Sequence, residues 1–241
     1  MKKILAIVIC VVAVLQGCSK KDKDTHPVSL NDAMSSSAAK KAVEVQKAAD
    51  APKADKSIPL TQYQEMNNGK QLLFSHLAIS GMPVDYAKIA ENISAEYTRE
   101  SDEFKKRDIM NALKPGIDKE ISKAKDGRYY YMNIDANWDK YDFASKSFAS
   151  NNIAGSSRYF MFDNFAYRYK LEWSNGNAFS KLTVPDEGQA RTIEALRIKH
   201  NGINTRIYFF LADTKLGEST VLGEITKVKV MDANGNVLSE I

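Results

Sequence analysis

At Gly127 the apolar residues of this chain change their period, and that change limits what the chain can fold into. Before it, apolar side chains return every three or four positions, the mark of amphipathic helices. After it, β-branched and aromatic residues alternate with polar ones, the mark of half-buried strands. Thr61 is placed to cap a first helix over 62–79, with Tyr63, Met66, Leu73 and Leu77 on one side and Ser80-Gly81 as its stop. Pro83 suits the start of a second helix, in which Tyr86, Ile89, Ala90, Ile93 and Tyr97 follow the 3.6-residue period. Ser101, Asp102 and Glu103 open a third, where Ile109, Leu113, Ile117 and Ile121 recur through Ala124 and Pro115-Gly116 must kink or divide it.

Beyond Gly127, residues 128–134 read as a strand, and 158–173 as a longer one whose Phe165, Tyr167, Tyr169, Leu171 and Trp173 face the core while Lys170 and Glu172 face water. Asn175-Gly176 is expected to turn that strand into 179–184, and 185–196 to form a short helix. Strands follow over 205–212 and 224–231, and Asn234-Gly235 turns the chain into 236–241. The reading is an α+β domain, about three N-terminal helices followed by a mostly antiparallel sheet.

The chain begins with a different pattern. Lys2 and Lys3 precede an apolar run from Ile4 to Leu15, too short for the ~20 residues that span a bilayer but suited to an export signal. Leu15-Gln16-Gly17-Cys18 then resembles the lipobox of bacterial lipoproteins processed by the lipoprotein signal peptidase. The resemblance implies cleavage between Gly17 and Cys18 and attachment of a diacylglyceryl group and fatty acyl chains such as palmitate to Cys18. Two or more chains hold a protein on a membrane, whereas one binds marginally. Ser19, where an aspartate would favour the inner membrane, implies an outer-membrane address facing the periplasm if the cell has two membranes.

Residues 18–57 are rich in Ser, Ala, Lys, Asp and Pro and hold no aromatic residue, the composition of a flexible, disordered tether. Such a coil would have an end-to-end distance of ~35 Å. Residues 58–241 form the expected single domain, long enough to bury ~70% of its unfolded surface. The expected division is thus 1–17 signal peptide, 18–57 lipidated cysteine and tether, and 58–241 globular domain.

Chemistry is thinly represented. Cys10 and Cys18 are the only cysteines, so the mature domain has no disulfide and no thiolate metal site. Loss of Lys2 and Lys3 leaves 32 basic against 30 acidic residues, a balance that gives no electrostatic case for nucleic acid. There is no GxSxG, Walker loop or GxGxxG, and no cofactor or metal is expected. His26 lies in the tether, His76 in the first helix and His200 beside a turn, without the clustering that zinc requires. The run from Asp232 to Asn236 superficially matches a calcium loop, but a hairpin turn explains it. Tyr129, Tyr131 and Trp138 form the candidate ligand platform for sugars, beside Tyr130, Tyr141 and Trp173, against the alternative of ordinary core packing. Arg128, Arg158 and Arg168 are candidates for anionic groups or simple solvated charges.

Residues 72–125, with SGMPVDYAKIA, EYTRESDEFKKRDI and LKPGIDKEISKAK, together with YDFASKSF at 141–148, resemble a family of uncharacterised bacterial exported proteins. The resemblance implies no activity and no site residue. The expected function is a membrane-anchored envelope lipoprotein that binds an envelope protein or a cell-wall glycan without catalysis. The alternative is an enzyme acting on envelope glycans with carboxylates as acid and base.

Overall fold

Two long strands, β7 (Ile203–Thr214) and β8 (Thr220–Asp232), pair antiparallel and carry the rest of the molecule. A computed structural model of the chain describes residues 50–155, 157–160, 169–199, 202–215 and 217–241. Cys18, the signal, His26, His200, Phe165, Tyr167 and Arg168 lie outside those residues.

Among the described residues the chain is mixed α and β, with five helices and a mostly antiparallel sheet. The chain runs through β1 (Gln64–Glu65), α1 (Gly69–Ser80), α2 (Tyr86–Ile93), α3 (Ala95–Arg99), α4 (Glu103–Asp126), β2 (Tyr129–Ile134) and β3 (Ser147–Ala149). It continues through β4 (Arg158–Phe160), β5 (Lys170–Trp173), β6 (Lys181–Thr183) and α5 (Glu187–Arg197) to β7, β8 and β9 (Val237–Glu240). The helices are not gathered at the N-terminal end as the sequence suggests, because β1 precedes α1 and α5 falls between β6 and β7.

Each helix starts where a side chain satisfies its free N–H groups. Asn68 and Gln71 form a reciprocal capping box at α1, while Asp85, Ser94, Asp102 and Asp186 cap the others. The first helix therefore begins at Gly69, not after Thr61, which sits in a 3-10 turn over Leu60–Gln62. Tyr63 and Met66 fit a helical period but serve the sheet instead: Met66 N–H donates to the Tyr131 carbonyl at 2.8 Å, and β1 pairs parallel with β2. Gly81, at φ +66°, ends α1 in the left-handed conformation that glycine adopts without strain. Tyr97 is buried as the period implies, but on α3, after Ser94 has ended α2 and capped the next turn.

The α4 helix runs through Pro115 undivided. Proline removes one intrahelical donor, and the carbonyl it releases belongs to exposed Asn111, where water can take it. Ile117 and Ala124 then join Phe74 of α1 and Ile89 of α2 in a small helical core, with Leu113 and Ile121 packed against it. The opposite side of α1 contributes Leu72 to the main core, which also holds Phe209, Ile207 and Trp173. One helix thus links both cores.

The large sheet has the order β1-β2-β7-β8-β5-β4, with β9 also on β8, and β3 pairs separately with β6. Residues 158–173 are not one strand: β4 and β5 pair antiparallel with Arg158 opposite Glu172. Nor does Asn175-Gly176 make the expected hairpin. Gly176 begins a 3-10 turn, and the site its Cβ would occupy is 2.1 Å from the Ile153 carbonyl oxygen, so only glycine fits. Asn175 uses its amide as a strand would, accepting from Ile225 N–H at 2.8 Å and donating to the Ile225 carbonyl at 2.9 Å.

That amide completes the outer edge of β8. Its first part pairs with β5, Ile225 pairs with Asn175, and Val228 exchanges two 2.9 Å bonds with Ile241 beyond β9. The other edge pairs with β7. The turn 232–236 is the hairpin the sequence suggests, with the Asp232 carboxylate accepting from the N–H groups of Asn234 and Asn236.

The sheet face away from the main core carries a second aromatic set. Tyr63 stands edge-on to Tyr129 and Tyr208 at 5.2 and 5.4 Å, and Tyr129 packs on Phe210. Ala54 and Asp55, on the tether side of Ile58, donate their N–H groups to Glu224 and to the Tyr129 hydroxyl.

Replacing Asn175 with alanine should leave a fully buried peptide group at Ile225 without partners on that edge. The expected destabilisation is about 2–3 kcal/mol, measured as a shift in denaturant midpoint with unchanged slope. A shift under about 0.5 kcal/mol would mean the edge repairs itself with water.

Candidate functional site

An open cleft of about 1680 Å³ lies at the end of the sheet where β2 stops and β7 starts. One wall is lined by residues 135–145 after β2, and the other by Arg197, Ile198 and Lys199 at the end of α5 together with residues 202–205. The first wall is fixed from beneath. Trp138 is buried and donates its indole N–H to Thr205 on β7 at 3.0 Å. Asp139 N–H donates to the Ala149 carbonyl at 2.8 Å, and the Ser150 hydroxyl donates to the Ala136 carbonyl. Asn137 holds φ at +43° and Lys146 at +49°, a region that side-chain-bearing residues adopt at a cost of about 1 kcal/mol or more. The surrounding bonds keep both there.

Between those two residues the wall turns sharply. Asp142 and Ser147 exchange backbone bonds of 2.9 and 3.2 Å, closing a short loop. The Asp142 carboxylate accepts from the Ala144 N–H and the Ser145 hydroxyl, and those bonds hold its pKa below the usual carboxylate range. Tyr141 anchors the base, with its hydroxyl donating to the Val184 carbonyl at 2.8 Å and its ring against Phe148. At the tip is Phe143, 77% exposed, standing edge-on to Tyr141 at 5.2 Å. On the opposite wall Arg197 grips Glu194 with two bonds of 2.9 and 2.6 Å, and the next residue, Ile198, is 72% exposed. Two large apolar side chains are thus presented to solvent on a cleft whose lining mixes polar and apolar groups.

The expected platform is not a single surface. Tyr129 and Tyr131 lie on the sheet face that carries Tyr63 and Tyr208, half-buried, with Arg206 stacked over Tyr131 at 4.7 Å. Trp138 belongs to the main core on the opposite face, with Tyr130. Of the three, Trp138 alone lines the cleft, and it does so as a support. Phe143 and Ile198 were not singled out by sequence, although the run 141–148, with Asp142 and Ser147 flanking a phenylalanine, holds the turn signal.

Two of the candidate cations, Arg128 and Arg158, serve the fold. Arg128 lies over the Phe210 ring and donates to the Leu211 and Ala212 carbonyls at 2.7 Å, closing the irregular register of β7 there. Arg158 pairs with Glu172, and Glu172 is buried rather than facing water as its place in the alternation suggests. Lys215 and Lys170 also reach it, Lys170 bridging on to Glu218 at 3.0 Å. Burial pushes the Glu172 pKa up, but the Lys215 hydrogen bond and the three positive charges outweigh it and hold the group below its usual value. His76 contacts the Glu218 carbonyl oxygen and the Tyr169 ring, and no group of potential metal ligands is present among the described residues.

In comparisons with protein-family models, curated proteins and solved structures, nothing matches this chain.

Every carboxyl group with a displaced pKa among the described residues is displaced downward, Asp142, Glu172 and Glu194 included. A general acid for glycoside cleavage needs displacement upward. Glu172→Gln should cost about 2 kcal/mol, less than the ~3–5 kcal/mol of a fully enclosed pair because Arg158 and Lys215 reach water. Since the folded pKa is depressed, the carboxylate's contribution is present above the ordinary glutamate pKa of about 4.3 and is lost as pH falls through the folded value. Urea midpoints of wild type and variant between pH 3 and 7 should converge at the acidic end; parallel curves would contradict the assignment.

Proposed function

We propose that the protein is a lipid-anchored component of the bacterial envelope whose domain binds an envelope ligand without catalysing a reaction. The observation that carries the anchoring is Leu15-Gln16-Gly17-Cys18 directly behind the apolar run from Ile4 to Leu15. Signal peptidase cleavage before Cys18 and acylation of that residue put the protein on a membrane, with the residues after Cys18 as the tether up to Ala54 and Asp55, which bond to the mixed α and β domain. Ser19 favours the outer membrane, facing the periplasm, in a cell that has two. Among the described residues no helix is long and apolar enough to cross a membrane.

Binding is supported by the cleft. A rigid turn that displays Phe143 forgoes the burial that would normally hide such a ring, and a partner can recover it without ordering the loop first. Two of the carboxylates beside it serve the loop: Asp135 accepts from the Asn137 N–H and Asp142 from its own turn. This favours recognition, of an envelope protein or a wall glycan, over carboxylate acid–base hydrolysis.

Cys18→Ala should abolish incorporation of labelled fatty acid and move the protein from washed membranes to the soluble fraction. Retention of the unlabelled variant in washed membranes would overturn the anchoring.

A further inference from the structure

We propose that the ligand of the cleft is a saccharide chain, a glycan strand of the cell wall, with Phe143 as its stacking residue. The inference rests on the reading of the domain as a binding module and names the chemistry of what it binds. Three features of the cleft carry it.

The first is size. Pockets for single small molecules usually enclose ~300–1,000 Å³ and are mostly apolar, whereas this cleft offers about 1680 Å³ and is open to solvent. A chain-like ligand fits such a trough better than a compact one.

The second is the character of the polar lining. Three aspartates and four basic side chains line the cleft, so the charges nearly cancel. A nucleic acid requires a surface of one sign, and a strongly acidic or basic peptide would meet as much repulsion as attraction. Asn133, Asn137 and Asn204 add amide groups that both donate and accept. A sugar hydroxyl also donates and accepts, and a row of them matches a lining that mixes both kinds of group without net charge.

The third is the placement of the apolar groups. A pyranose ring has a polar rim and a face of C–H bonds, and that face packs on an exposed aromatic ring. Phe143 offers such a ring on a loop braced by Asp142, Ser147 and Tyr141, so stacking needs no prior ordering. Ile198 on the other wall is an aliphatic contact suited to the acetyl methyl groups of N-acetylated sugars. A protein partner of ordinary size would bury a contiguous apolar core at its interface; here Phe143 and Ile198 are the large apolar side chains of the lining left exposed, and charged and amide groups share that lining with them.

The test uses the natively lipidated full-length protein in detergent and protein-free peptidoglycan sacculi as the probe. The wild-type chain should co-sediment with sacculi. Phe143→Ala should weaken binding at least tenfold while leaving Tm unchanged, since the ring is largely exposed, and Phe143→Trp should retain it. In parallel, a photo-crosslinking phenylalanine analogue at position 143 in living cells should give an adduct that a muramidase converts from wall-bound to soluble. A discrete protein adduct at 143 with no sedimentation would overturn the saccharide while leaving the binding function standing. Absence of both sedimentation and any adduct would overturn both readings. Sedimentation unaffected by Phe143→Ala would overturn the role of the cleft.

Discussion

Strand β8 is paired along both edges, and most of the architecture follows from how that pairing is achieved. On one side β7 runs antiparallel to it over nearly its whole length. The other side is assembled from two separate stretches, β5 continued by the Asn175 amide, and β9 with Ile241. A buried strand cannot leave its peptide groups without partners, because each unmet group costs of order 1–3 kcal/mol. The chain therefore has to bring residues 170–175 and the C-terminus to the same edge. The β4–β5 pair, the 3-10 turn after Asn175 and the return of α5 across the sheet are the connections that allow it.

The same ribbon fixes the cleft. Thr205, near the start of β7, is fully buried and receives the Trp138 indole N–H, so the wall after β2 is tied to the central pair of strands rather than resting on the surface. Tyr141 ties the next part to Val184 and Phe148 around the small β3–β6 sheet. Rigidity in the loop is inherited from the core. That is why an aromatic ring can be kept exposed at its tip, with the Asp135 and Asp142 carboxylates engaged as structural acceptors.

Much of the fold was legible because it depends on local pattern. The repeat of Ile109, Leu113, Ile117 and Ile121 does mark a helix, and 128–134, 205–212 and 224–231 do mark strands. Errors arose where a distant partner overrode a local signal. Tyr63 and Met66 have helical spacing, yet β2 and the sheet face claim them. Asn175-Gly176 has hairpin composition, yet the amide is drawn to Ile225. Glu172 sits at a polar position of an alternating strand, but it is buried and its carboxylate pairs with Arg158, Lys170 and Lys215. The cleft itself was the least legible part, since a phenylalanine held out of the core looks in sequence like one that belongs inside it. Its turn residues, Asp142 and Ser147, mark the loop but not the exposure of its tip.

The account depends most directly on β8 being sealed along the edge built from separate pieces, and amide hydrogen exchange resolved by residue measures that. The Ile225 and Val228 amides should exchange only through global unfolding, as slowly as the β7 amides of Ile207 and Phe209 and with the same denaturant dependence. The Asp142 and Ser147 amides should be protected too, though through smaller openings. Fast, denaturant-independent exchange at Ile225 and Val228 would show that the edge is open, and would contradict both the topology and the rigid cleft built upon it.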